Sequence, residues 1–157
     1  MKTSETNEKL VTQLNDLIEI NNDRIEGYQR AVSDTNDADL KALFQDMAAH
    51  SRSFKSELVR EVISLDGEPS EGTKNTGKVF RAWMDFKAAV TGKDRKAIIN
   101  SCEFGEDTAL ETYNDVIKSE DVMTSGNVRE IILKQKLELQ KDHDRVKALK
   151  DSVSATN

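Results

Sequence analysis

The chain has 157 residues, enough for one domain with a single substantial core; 33% of them are charged and 36% hydrophobic, with one proline and seven glycines, which suits a helical soluble protein better than a sheet protein. A formal net charge of −6 without a basic cluster speaks against nucleic-acid binding, and a single cysteine excludes an intramolecular disulfide or a multi-cysteine zinc site. No stretch approaches the roughly 20 apolar residues of a membrane span, and the polar start "MKTSETNEKL" lacks the apolar segment of a signal peptide, so a cytoplasmic protein with no membrane partner is expected.

From Leu10 to Val32 apolar residues recur at three- and four-residue steps, as Leu10, Leu14, Leu17, Ile18, Ile25 and Tyr28 do, and the period predicts a first long helix. It ends in "SDTNDAD", where Asn36 or Asp37 can cap the next start. Leu40, Phe44, Met47, Phe54, Leu58 and Val62 mark a second long helix, which closes before the loop "DGEPSEGTKNTG". "KVFRAWMDFKAAV" then predicts a short helix, stopped by "TGKD", whose Gly92 suits a C-cap and Asp94 an N-cap. A third long helix runs from about Asp94 to Lys118 on Ile98, Cys102, Ala109, Tyr113 and Val116, with Cys102 read as a buried small hydrophobe. After the connection "SEDVMTSGN", a fourth runs from about Asn127 to Val153 on Val128, Ile132, Leu139, Val146 and Val153.

The short links make each outer pair of helices an antiparallel hairpin. The long middle connection, from Asp66 to about Lys93, can cross the whole bundle and leave the second and third long helices parallel. The expected fold is therefore all-α: one ferritin-like four-helix bundle over residues 1–157, core about 10–153, built as two antiparallel hairpins joined by a crossover containing a short extra helix.

Polar residues on the apolar stripes are the informative ones: Asn21 on the first helix, with Glu26 at its flank; His50 and Ser51 on the second; Glu106 on the third, with Glu103 at the rim and Asp107 toward solvent; Gln135 and Asp142 on the fourth, flanked by Glu138 and His143. A buried carboxylate needs a partner. For Glu106 the candidates are His143, His50, Tyr113 or a shared metal, since carboxylate and neutral imidazole both ligate iron, manganese and zinc. The candidate metal set is Glu106, His143, Glu103, His50 and Glu26, for iron or another divalent ion. A complete di-iron centre would need Glu-x-x-His on two helices, but Met47 precedes His50 by three and Gln140 precedes His143 by three, and the inward position of the first helix is Asn21. A Glu106–His143 hydrogen bond that fixes helix register is the plainer reading. Trp83 and Phe86 staple the short helix to the bundle or roof a ligand pocket.

The segments "LNDLIEINNDRIEGYQRA", "LKALFQDMAAHSRSFKSELVREV", "RAWMDFKAAVTG", "CEFGEDTALETY" and "HDRVKAL" resemble a bacterial ferritin-like four-helix-bundle domain of unknown function, domain of unknown function 2383, from about Leu10 to Ser152. Glu26, Glu103, Glu106, Asp107 and His143 fall in its characteristic segments. The resemblance implies the bundle and no assigned reaction. Two functions follow as expectations. One is a non-catalytic bundle, linked to stress by analogy, whose inward polar residues set register or bind a ligand or partner. The other is a metal-binding carboxylate protein with oxidase- or ferroxidase-type activity. An outer helix face is open to homodimer formation.

Overall fold

A computed structural model describes residues 2–74 and 77–155, the side chains of 2–4 and 153–155 excepted; Asn75, Thr76 and the side chain of Val153 lie outside the described residues. The elements are α1 (Lys2–Asp34), α2 (Ala38–Ser64), α3 (Gly77–Gly92), α4 (Arg95–Lys118), α5 (Glu120–Met123) and α6 (Gly126–Ala155), with no strand among the described residues. The expected long helices are α1, α2, α4 and α6, and the short crossover helix is α3. Two departures are local. α1 begins well before Leu10, because "KTSETNEK" holds no helix breaker although it lacks an apolar period. The expected connection after α4 contains α5, whose N-cap Ser119 accepts from the Val122 amide and whose Val122 is buried in the core.

Cross-helix contacts fix the directions. Arg24 meets Ser51 and Tyr28 stacks on Phe44, so α1 and α2 are antiparallel. Asn21 meets Tyr113 while Arg24 and Tyr28 meet Glu106, so α1 is antiparallel to α4. Gln135, His143 and Lys150 of α6 meet Tyr113, Asp107 and Glu103 of α4, and Asn127 and Asp142 meet Glu61 and His50 of α2. Hence α6 opposes both α2 and α4, and α2 runs parallel to α4. The result is an all-helical bundle of two antiparallel hairpins joined by a long crossover.

That crossover starts where α2 ends in a tight reversal. The Gly67 amide bonds the Val62 carbonyl, the Asp66 amide bonds Ile63, and Asp66 takes the left-handed conformation at φ 62°. The chain then lies along a polar stripe of α1. Asn15 donates to the Glu68 carbonyl and accepts from the Ser70 amide, Glu19 accepts from the Ser70 hydroxyl, Asn22 donates to the Gly72 carbonyl, and Asp23 accepts from the Lys74 amide. Asn15, Glu19 and Asn22 recur at four- and three-residue steps, with Asp23 one residue on, a second helical face given to polar zippering. Beyond it α3 runs parallel to α1 and covers the seam between α1 and α4. Asp94 caps α4 as expected, accepting from the Lys96 and Ala97 amides. Gly92, expected as the C-cap, instead closes α3 in helical conformation, and the left-handed residue is Lys93 at φ 58°. Asp37 caps α2 by position only, with no side-chain cap bond.

The core is two apolar bodies. One gathers Leu14, Leu17, Leu58, Val116 and Ile132; the other gathers Tyr28, Phe44, Met47, Phe86, Val90 and Cys102. Between them lies a belt of buried polar side chains.

Candidate functional site: a buried arginine cluster and an adjoining groove

Arg24 is the centre of the belt and is fully buried. Its place follows from helical period: it is seven residues after Leu17 and four before Tyr28, on the inward stripe of α1. The guanidinium donates through Nε and Nη2 to the two oxygens of Glu106 at 2.9 and 2.8 Å, through Nη1 to Ser51 Oγ at 2.6 Å, and through Nη2 to Asp142 Oδ2 at 3.1 Å. Tyr28 OH donates to Glu106 Oε2 at 2.6 Å and touches Cys102 Sγ at 3.5 Å. One cation thus ties α1, α2, α4 and α6 together with the two-pronged geometry that Arg–carboxylate pairs favour.

Burial works against the Arg24 charge, but the Glu106 and Asp142 carboxylates outweigh it and raise its pKa, so the guanidinium stays protonated. Burial likewise pushes the Tyr28 hydroxyl and the Cys102 thiol well above their ordinary values. Cys102 is a buried thiol, as expected, and not an activated thiolate. His50 is the cluster's outlet to solvent: its Nδ1 lies 3.0 and 2.9 Å from the Asp142 oxygens. A carboxylate only accepts, so Nδ1 carries the hydrogen. One turn along, Asn21 donates to Tyr113 OH at 2.9 Å, Tyr113 donates to Gln135 Oε1 at 2.8 Å, and Gln135 donates to the Phe54 carbonyl at 3.1 Å. Asn21 Oδ1 has no partner in this layer.

Glu106 does point inward, Glu103 sits at the rim on Lys150 at 2.7 Å, and Asp107 is exposed. The expected Glu106–His143 pair does not form. Successive helical residues are turned by about 100°, so when Glu106 and Asp142 face the centre, Asp107 and His143 face each other at the α4–α6 edge, 2.6 Å apart. Tyr113 belongs to the Asn21 layer and His50 to Asp142. Glu138 bonds Lys141, and Glu26 is exposed on α1. Glu106 thus lies in the Arg24 cluster and His50 at its edge on Asp142, while His143, Glu103 and Glu26 lie elsewhere, and among the described residues no three His, Cys, Asp or Glu side chains stand together as a metal-holding group.

Tyr28 links the cluster to the surface. Its ring stacks on Phe44 at 5.4 Å between centroids and meets the edges of Trp83 and Phe86 at 5.2 and 5.6 Å. Trp83 and Phe86 thus fasten α3 to the bundle, as expected, and they also wall a groove. A cavity of about 570 Å³ lies between α1 and α3, bounded by Asp23, Gly27, Ala31, Phe80, Trp83 and Met84 among others. Phe80 and Met84 are 40% and 48% exposed there. Asp23 at its edge is only 8% exposed, and burial raises its carboxyl to about 7, opposed by the Lys74 amide and reinforced by Glu26 and Glu19. Among the described residues no helix is long and apolar enough to cross a membrane.

A search of curated proteins finds no match to the chain. A comparison with protein families matches residues 9–119 to the domain of unknown function DUF2383, a stretch that carries Arg24, Tyr28, Ser51 and Glu106 together with the walls of the groove. The chain belongs to the DUF2383 family.

Proposed function

We propose that the protein is a non-catalytic binding bundle of the ferritin-like kind, whose buried centre locks the register of its long helices and whose α1–α3 groove receives a ligand. The observation that carries this reading is the fully buried Arg24 held two-pronged by Glu106 and shared with Asp142. In a di-metal bundle inward carboxylates surround divalent cations; here one guanidinium, supplied by the chain itself, bonds both inward acids and balances one of their two charges, and Asp142 is shared with His50. A link to stress or storage rests on fold analogy alone. The test is elemental analysis after aerobic and anaerobic iron loading of the wild type, Glu106→Ala and His143→Ala. The expected result is substoichiometric metal, the same in all three. Stoichiometric iron that disappears with Glu106→Ala would overturn the reading in favour of a metal-binding carboxylate protein.

A further inference from the structure

The α1–α3 groove has two unlike ends. At one end stands Asp23, nearly buried, with Glu26 and Glu19 on the same helix adding negative charge. The nearby ammonium of Lys74 is already engaged, 2.9 Å from Asp16 and 3.4 Å from Glu19. At the other end the bounding charges are mixed, Arg30 and Lys87 against Asp34. Between the ends run Trp83 and the exposed Phe80 and Met84.

A carboxyl stripped of water beside other carboxylates is in a strained electrostatic position, and a cation delivered to it gains attraction that bulk water would have screened. An indole or phenyl wall adds attraction for the same charge through its ring face. An anion meets the opposite: Asp23 and Glu26 repel it at one end, where the Lys74 ammonium is held by Asp16 and Glu19, and Asp34 offsets Arg30 and Lys87 at the other. About 570 Å³ is in the range of small-molecule sites.

We infer that the groove takes a monocation with an apolar or aromatic body, an organic amine or quaternary ammonium, with the charge at Asp23 and Glu26 and the body along Trp83, Phe80 and Met84. This rests on the reading of the groove as the binding surface. It adds the ligand's class.

Trp83 is the chain's single tryptophan and lines the groove, so its fluorescence responds to a ligand bound there. The probes are 2-phenylethylammonium, 2-phenylethanol and phenylacetate, which share a ring and differ in charge, titrated at pH 8 into the full-length protein. The ammonium is expected to bind at least ~10-fold more tightly than the alcohol, a difference of ~1.4 kcal/mol, with phenylacetate weakest. Asp23→Asn removes the preference. Glu26→Gln, at an exposed position that leaves the core alone, reduces it. Equal binding of alcohol and ammonium, unchanged in Asp23→Asn and Glu26→Gln, would overturn the cationic class while leaving the groove as a binding surface. No saturable response to any of the three would overturn both.

Discussion

Arg24 bonds a side chain on each of the three other long helices, and its energetics are asymmetric. Removing one partner of a buried ion cluster leaves the others charged and unsolvated, whereas removing charge from both sides relieves that penalty. Arg24→Met is expected to cost ~3–5 kcal/mol, because Glu106 loses both prongs and Asp142 keeps only His50. Pairing it with Glu106→Gln is expected to recover part of the loss, and urea unfolding of the wild type, both singles and the double variant closes the cycle. A single Arg24→Met variant within ~1 kcal/mol of wild type would mean that the cluster opens to water. The inward set Asn21, Ser51, Glu106, Gln135 and Asp142 was legible in the sequence from helical period. Arg24 was not, because arginine is almost never fully buried and its stem passes for a solvated flank. The signal was present all the same: a cation on the Leu17–Tyr28 stripe, and an inward glutamate in need of one.

At the scale of the element, α3 depends on what α1 and α4 leave out. Trp83 lies over Gly27 of α1 and Gly105 of α4, and the two contacts are not alike. A Cβ at Gly27 would fall 2.5 Å from Trp83 Cε3, inside any tolerable approach, while one at Gly105 would fall 3.6 Å from Cζ2, ordinary van der Waals contact. Alanine also favours a helix interior over glycine by ~1 kcal/mol. Gly105→Ala is therefore expected to raise stability by up to ~1 kcal/mol with Trp83 fluorescence unchanged. Gly27→Ala is expected to lower stability and shift the emission as the indole is pushed from its seat and from the Tyr28 edge. Thermal melts and emission spectra of the two variants decide it, and similar behaviour of both would remove the wedge as an account of α3 docking. The period of "KVFRAWMDFKAAV" was enough to find α3 as a helix. It could not reveal the two glycines as its seat, because the contact joins three elements far apart in sequence. α5 escaped for the opposite reason, being too short to show a period.

The whole-molecule topology was readable from connection lengths: two short links make hairpins, one long link makes a crossover, and the parallel course of α2 and α4 follows. What lengths cannot give is how the crossover is held, by a polar stripe of α1 that ends at Asp23. That stripe puts a pH dependence into global stability. The Asp23 carboxyl is raised from 3.8 to about 7, chiefly by burial. Between those values the folded chain holds a proton that the unfolded chain has released, so unfolding sheds it and stability falls as pH rises. The contribution is steepest at ~1.4 kcal/mol per pH unit and levels off above about 7. Asp39, whose carboxyl Arg95 holds low by hydrogen bonding, acts in the opposite sense and only at pH values below the Asp23 window. Asp23→Asn keeps an acceptor for the Lys74 amide and cannot ionise. The variant should match wild type near pH 4 and gain on it steadily toward neutrality, as read by urea midpoints from pH 4 to 8. A wild-type-minus-variant difference that stays flat across that range would show that water reaches Asp23 and that the groove edge is more open than its burial implies.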